Sequence, residues 1–537
     1  MQKDMEFFLK LADAARALGS QTCTTTALAS MVSRLMRLPQ LASESAQAWR
    51  FRKCSSLTVH IALPSSTFGR GYIHLLNDDI LLDIFNCYRL DQGDYWNVRL
   101  SWRKLTHICQ RWRCLIYKST SLLSMRIQCI NGSPIVDTLD HLPPLPLHVH
   151  YCDTLTVAMT GKDGSGIFHA LQLHDRVRHL NLYFQPPLLH KCLMLMAEHF
   201  PLLEDLTLIK LSTVDSLTSL TLPKAFLAPN IRCLELSGTS LPKRLQLLTS
   251  TMSLVKLTLC DIQASSYFRP KLIVARLRSL PQLEELNIRF SVPIPRPSTE
   301  RELLGEQGTP VILPNLSILM FQGVSVYLES FIAQIRAPVL NRLSITLFNQ
   351  IAFTLQHLTH FINITEGLKI PVVEVSFSSH SVDVITSNSF GFSDGPLFIQ
   401  VKCCPLDWQI DCATQICTAI APALLASDVG QFLLSVHNYP AEWLDGEIDE
   451  ATWHELLRSF VGMKVLRIEA GLLEELARAL GMDEVGSDPG FLPDLQEIVA
   501  ARNPFTSFID TREVVGRPVW FVPLLILGSS EDLWWEV

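Results

Sequence analysis

Charge is scarce in this sequence. Only 18% of its 537 residues are Asp, Glu, Lys or Arg, and 52 acids against 45 bases leave a net charge of −7. A basic face able to neutralise a run of phosphates is therefore not expected, and with it no nucleic-acid partner. Long apolar runs are also missing. The most apolar late stretch, Val519 to Leu527, is interrupted by Pro523 and falls well short of the ~20 residues a bilayer-spanning helix needs. It reads as a buried terminal strand, and no membrane segment is expected. The 14 cysteines are scattered, with Cys403-Cys404 the one adjacent pair and no repeated C-x-x-C at zinc-finger spacing. Without a secretory signal, reduced thiols in an intracellular compartment, cytoplasm and/or nucleus, are the expectation.

Site chemistry is equally thin. Gly161-Lys162-Asp163-Gly164-Ser165-Gly166 is glycine-rich but lacks phosphate-loop spacing and reads as a tight turn. No nucleophile elbow of the Gly-x-Ser-x-Gly type is expected, and no His-Glu-x-x-His zinc motif occurs. Cys403, Cys404, Cys412 and Cys417 read as small apolar residues of strands and helices rather than as a metal cluster. The acidic run Glu442, Asp445, Glu447, Asp449 and Glu450 lacks calcium-loop spacing and precedes a helix expected at 452–460. No catalytic residue, cofactor or metal is expected, and an enzyme has no supporting constellation.

What the sequence has is apolar material, 48% of the chain. That is ample for a core, at a length fitting several domains or one extended array. Residues 1–70 read as a separate extension. An amphipathic helix is possible over Met1–Leu18, followed by a stretch holding Arg34, Arg37, Arg50, Arg52, Lys53 and Arg70 against Glu44 alone. From 147 to 500 one pattern recurs: apolar-x-x-apolar-x-apolar. It stands at Val177-Leu180-Leu182, Leu203-Leu206-Leu208, Ile231-Leu234-Leu236, Leu254-Leu257-Leu259 and Leu283-Leu286-Ile288. It continues at Leu316-Leu319-Phe321, Leu340-Leu343-Ile345 and Val372-Val375-Phe377, with weaker copies at Ile399-Val401, Leu434-Val436, Met463-Leu466-Ile468 and Leu495-Ile498-Ala500. Proline turns announce several copies, at Pro201, Pro229, Pro281, Pro314, Pro338 and Pro493, and helix-like stretches separate them. A strand with a helical or irregular return at this period resembles leucine-rich repeats. Such units bury their apolar sides by stacking. Because side chains alternate along a strand, an outward set can be listed. The candidates for a protein-binding face are Asn181, Tyr183, Glu235, Lys256, Glu285, Asn287, Arg289, Arg342, Glu374 and Arg467. Their mixed sign favours a protein partner over a polyanion.

The densest motif lies at 72–118. Asn77-Asp78-Asp79 is a helix-start signal, with Asp78 or Asp79 expected to cap, and Ile80, Leu81, Leu82, Ile84 and Phe85 follow. After a polar loop, Trp102, Leu105, Ile108, Cys109, Trp112, Leu115 and Ile116 step by three and four, the helical period. Leu76 to Phe85, then Leu105-Thr106-His107-Ile108-Cys109-Gln110-Arg111-Trp112-Arg113-Cys114-Leu115, resembles an F-box. It departs from the family at Asn77, where proline is usual, and in a longer loop over 86–101. The long-loop form, with Arg126 to Pro134 and Leu142 to His148 behind it, is similar to the F-box group abundant in mushroom-forming fungi.

The resemblance implies an α/β chain. A short helical F-box (72–125) would be followed by a leucine-rich-repeat-like solenoid with a curved parallel sheet (126–537). It implies a non-catalytic substrate-receptor subunit of an SCF-type cullin–RING ubiquitin ligase. Leu76, Ile80, Leu81, Ile84, Phe85, Leu105, Ile108, Cys109 and Trp112 would meet the ligase's linker subunit as an exposed apolar surface. The array would hold a protein substrate. Two alternatives stay open: those residues form the core of an ordinary helical hairpin, or the chain is a repeat scaffold that does not engage a ligase.

Overall fold

The computed structural model describes residues 76–91, 103–106, 108–119, 125–128, 136, 139, 145–152, 165–184, 186–211, 220–240, 248, 251–263, 266–293, 310–350, 352–368, 372–387, 395–404, 406–425, 430–437, 450–460, 462–469, 472, 476, 479, 492, 494–502 and 519–523. The N-terminal extension, residues 161–164 and the acidic run 442–449 lie outside this set. Ser165 and Gly166 open a helix. The chain divides into two compact units, Met1–Ser124 and Met125–Val537.

The first unit holds three described helices: α1 (Asp78–Asp91), the short α2 (Arg103–Thr106) and α3 (Gln110–Lys118). Asn77 caps α1, its Oδ1 accepting the Ile80 N–H at 2.8 Å. Of the three residues of the start signal, the cap is Asn77, which stands where the family has proline, rather than Asp78 or Asp79. Asp78 instead receives Arg111 Nε and Nη2 at 3.1 and 2.7 Å. The same guanidinium donates to the Leu76 carbonyl at 2.6 Å, so one arginine on α3 anchors the start of α1. Cys109 starts α3, its Sγ accepting the Trp112 N–H at 3.5 Å.

The second unit is mixed α/β around a large, mostly parallel sheet of 16 strands among the described residues. In chain order its first nine strands are β1 (Met125–Gln128), β2 (Leu147–Cys152), β3 (Val177–Phe184), β4 (Asp205–Lys210), β5 (Cys233–Ser237), β6 (Lys256–Ile262), β7 (Glu285–Phe290), β8 (Ile318–Gly323) and β9 (Arg342–Phe348). Each pairs in parallel with the next. The last seven are β10 (Val372–Ser378), β11 (Ser381–Ser387), β12 (Leu397–Lys402), β13 (Gln431–His437), β14 (Val465–Glu469), β15 (Glu497–Arg502) and β16 (Val519–Pro523). Helices α4 (Ser165–Gln172), α5 (Pro186–Leu195), α6 (Pro270–Leu277), α7 (Ser325–Ile332), α8 (Gln356–Ile364), α9 (Leu406–Leu425) and α10 (Glu450–Arg458) lie between strands in the sequence.

Strand order explains the sequence pattern. The second and third apolar residues of each copy fall inside a strand and point to one side, as at Leu180/Leu182, Leu206/Leu208 and Leu286/Ile288, all at most 1% exposed. That side is the helix side: Tyr327 of α7 packs on Phe290 and Phe321, and Trp453 of α10 on Phe377. The first apolar residue opens the strand at Val177 and Val372; at Leu203, Ile231, Leu254, Leu283, Leu316 and Leu340 it sits in the turn before the strand, where the chain joins the ladder early. Glu204, Arg232, Glu284, Ser317 and Asn341 each donate an N–H to the preceding repeat's backbone before the strand proper. The proline turns supply further rungs, since Asn230 Nδ2 donates to the Pro201 carbonyl at 2.7 Å and Asn315 Nδ2 to that of Pro281 at 2.9 Å.

One segment breaks the one-by-one order. The sheet runs β9–β12–β11–β10–β13. Strand β11 is antiparallel to both neighbours, while β9 pairs in parallel with β12 and β10 with β13. The copy at Val372 therefore does not lie beside the copy at Leu340: β12, with the weaker copy Ile399-Val401, and β11, which carries no copy, stand between them. Fully buried Gln409 of α9 pins the segment, its Nε2 donating to the carbonyls of Ser378 (2.7 Å) and Cys403 (2.9 Å). A second clamp joins two helices: Glu329 of α7 accepts the N–H groups of His357 and Leu358 at the start of α8, at 2.7 and 2.8 Å.

Candidate interaction surfaces

The nine residues singled out in the helical module separate into two sets. Leu81, Phe85, Leu105 and Trp112 are at most 3% exposed, and the Phe85 and Trp112 rings meet edge-on at 4.8 Å. They form the interior of the helical hairpin, so the expectation of an exposed surface built from all nine is corrected for these four. Helical periodicity identifies a stripe; it does not tell which part of the stripe a neighbouring helix of the same unit covers. Ile108, at 47%, and Cys109 are exposed, while Leu76, Ile80 and Ile84 are half-buried. Of the nine, the residues that keep access to solvent are therefore Ile108 and Cys109, with Leu76, Ile80 and Ile84 in part.

The outward residues of the sheet fall into register rows. One row reads His148, His179, Asp205, Cys233, Lys256, Glu285 across β2 to β7. Its members are largely engaged with each other. The His148 and His179 rings lie 3.7 Å apart, His179 Nδ1 contacts Asp205 Oδ2, and Lys256 Nζ reaches Glu285 Oε2 at 2.7 Å. Burial acts to raise the Asp205 carboxyl, but hydrogen bonds from His179 and Cys233 hold it below its ordinary value. Burial and the neighbouring Asp205 push the Cys233 thiol up to about 12, which favours its protonated form. In the next row, burial lowers His150 to about 4, and its ring packs edge-on against Tyr183.

Of the proposed outward set, Arg289 and Arg342 are exposed, and Asn181, Tyr183, Glu235, Lys256, Glu285, Glu374 and Arg467 are half-buried. Asn287 is corrected: at 7% exposure it is buried, and its Oδ1 accepts from Arg289 Nε at 3.1 Å. Thr258, its register neighbour, is likewise 5% exposed. Close parallel strands carrying longer neighbours shield these short side chains. Glu374 accepts from Ser435 Oγ at 2.9 Å. The face is a self-paired polar surface rather than a set of unattached charges.

Cys403, Cys412 and Cys417 are buried and Cys404 exposed. Among the described residues no group of three or more His, Cys, Asp or Glu is arranged to hold a metal ion, and no helix is long and apolar enough to cross a membrane. The expectation that no Gly-x-Ser-x-Gly occurs is corrected: Gly391-Phe392-Ser393-Asp394-Gly395 spells that pattern. An elbow joins a strand to a helix. Here the residues lie between antiparallel β11 and β12, and 391–394 fall outside the described set. No family model matches the chain, and no curated protein matches it.

Proposed function

We propose that this chain is an F-box substrate-receptor subunit of an SCF-type cullin–RING ubiquitin ligase. The helical unit docks the linker subunit, and a leucine-rich-repeat-like solenoid behind it binds a protein substrate. The observation that carries the reading is the residue string of 76–85 and 105–115, resembling the family motif. Its support is the helical pair in which Arg111 ties α3 to the start of α1 and Ile108 stays outside. The stacked parallel strands offer a broad polar face of mixed charge, suited to a protein ligand. The chain itself supplies binding, and transfer chemistry belongs to the other subunits.

A pull-down with purified linker subunit tests the docking half. Substituting buried Leu81 or Phe85 would unfold the module and lose binding for the wrong reason. The informative variant is Ile84→Glu with Ile108→Glu, on the accessible side. Capture by wild type and loss in this variant is the expected result. Folded wild-type protein that fails to bind the linker subunit sinks the proposal in favour of a repeat scaffold independent of a ligase.

A further inference from the structure

We propose that Cys403 and Cys412 form a reversible disulfide when the chain meets a peroxide, tying helix α9 to the end of strand β12. The inference does not rest on the ligase reading.

The placement comes from the backbone. Cys403 is the first residue after β12, and Cys412 lies in the second turn of α9. Gln409 Nε2 donates to the Cys403 carbonyl at 2.9 Å and to that of Cys404 at 3.2 Å, which seats one face of α9 on this turn. Residues three apart share a helix face, so Cys412 stands on the face that Gln409 presents to Cys403. Gln409 at 0% and Cys412 at 4% exposure both lie on the inward side, as does Cys403 at 4%. The two thiols are hydrogen-bonded to each other. Exposed Cys404 points elsewhere, its Sγ 3.9 Å from His380 Nδ1.

The hydrogen bond divides the roles. Cys403 donates, and that bond together with burial pushes its thiol up. Cys412 accepts, and the bond brings its thiol down against the opposing effect of burial. Cys412 is therefore the sulfur that carries thiolate, the reactive form, and Cys403 supplies the resolving thiol. The path from solvent is short, because Cys403 is flanked by exposed Lys402 and Cys404. The Cys412 thiolate attacks one oxygen of hydrogen peroxide. The O–O bond breaks, the leaving hydroxide takes up a proton as water, and a sulfenic acid remains on Cys412. The Cys403 sulfur then attacks that sulfur: the S–S bond forms, the S–O bond breaks, and a second water leaves with the Cys403 proton. The sulfur pair loses two electrons and the peroxide gains them. A thiol reductant reverses the link by exchange.

The test treats the folded full chain with hydrogen peroxide, blocks the remaining thiols with N-ethylmaleimide, and maps disulfides by mass spectrometry after cleavage before aspartate. Asp407 and Asp411 lie between the two cysteines, so the cut separates them. Wild type is expected to give a linked peptide pair that fragmentation assigns to Cys403 and Cys412 and that a thiol reductant removes. Cys404→Ser and Cys417→Ser, which keep the pair, are expected to retain the link, and Cys412→Ser to lose it. Circular dichroism checks the fold; if Cys412→Ser unfolds, the wild-type map and Cys404→Ser carry the comparison. Recovery of Cys403 and Cys412 from treated wild type as N-ethylmaleimide adducts, a link that joins Cys404 instead, or a link that persists in folded Cys412→Ser would overturn the proposal.

Discussion

Replacing Glu329 by alanine isolates one contact between successive helices. The carboxylate is 3% exposed and takes two backbone N–H groups of α8, from His357 and Leu358. Hydrogen bonds to a charged group contribute about 1.5–3 kcal/mol each, so the pair amounts to roughly 3–6 kcal/mol gross. Burial opposes part of this: it is the leading influence on Glu329 and raises its carboxyl above the ordinary value despite those N–H donors. A net loss of about 3 kcal/mol is expected in the variant. Repeat arrays open locally, so hydrogen exchange is a better assay than a melting temperature. Amides of Gln356–Ile364 should exchange roughly 100-fold faster, while those of β2 to β4 stay unchanged. A change below about threefold would refute the account of Glu329 as the cap of α8. The sign with pH follows from the raised carboxyl. Folding favours its neutral form, so this contribution is present below the ordinary Glu value and is lost as pH rises through the raised one. The variant should lack that dependence.

Gly367→Ala should destabilise the region by about 1–3 kcal/mol, because the added Cβ would lie 2.4 Å from the Leu340 carbonyl oxygen; urea unfolding with exchange readout checks it. His150 should titrate near 4 in an NMR pH series of the folded chain. Its depressed value means that the stability tied to the neutral ring is lost as pH falls below the ordinary histidine value through about 4, and His150→Gln should remove that step.

The parallel strands were legible because their apolar residues alternate between a buried side and an outward side, as Leu206 and Leu208 do around Thr207. Proline turns marked where each strand joins its neighbour. The inverted segment was not legible. Strand β11 holds Val382 and Val384 at the right alternation, yet it lacks the leading leucine and turn, and nothing local states that it runs backwards. Which strand sits beside Arg342–Phe348 is decided by contacts made more than fifty residues later. In the helical module the stripe was readable at Leu81, Phe85, Leu105 and Trp112, but its division into interior and surface was not. That division depends on where α3 rests against α1, set in part by Arg111 reaching the Leu76 carbonyl. His179 and Asp205 were readable as outward residues of their strands, but their alignment with His148 was not, because the three are spread over about 58 residues and meet only through register.

The inverted segment also has a meaning in time. On a ribosome, β8 receives its next neighbour, Arg342–Phe348, soon after it is made. The edge of Arg342–Phe348 waits until Leu397–Lys402 emerges. At synthesis rates of about 5–20 residues per second, that delay is on the order of 3–10 s. Throughout it, a strand with Leu343, Ile345 and Leu347 on its apolar side presents unpaired N–H and C=O groups to the cell. The nascent chain is most open to chaperones, or to another copy of itself, in that interval.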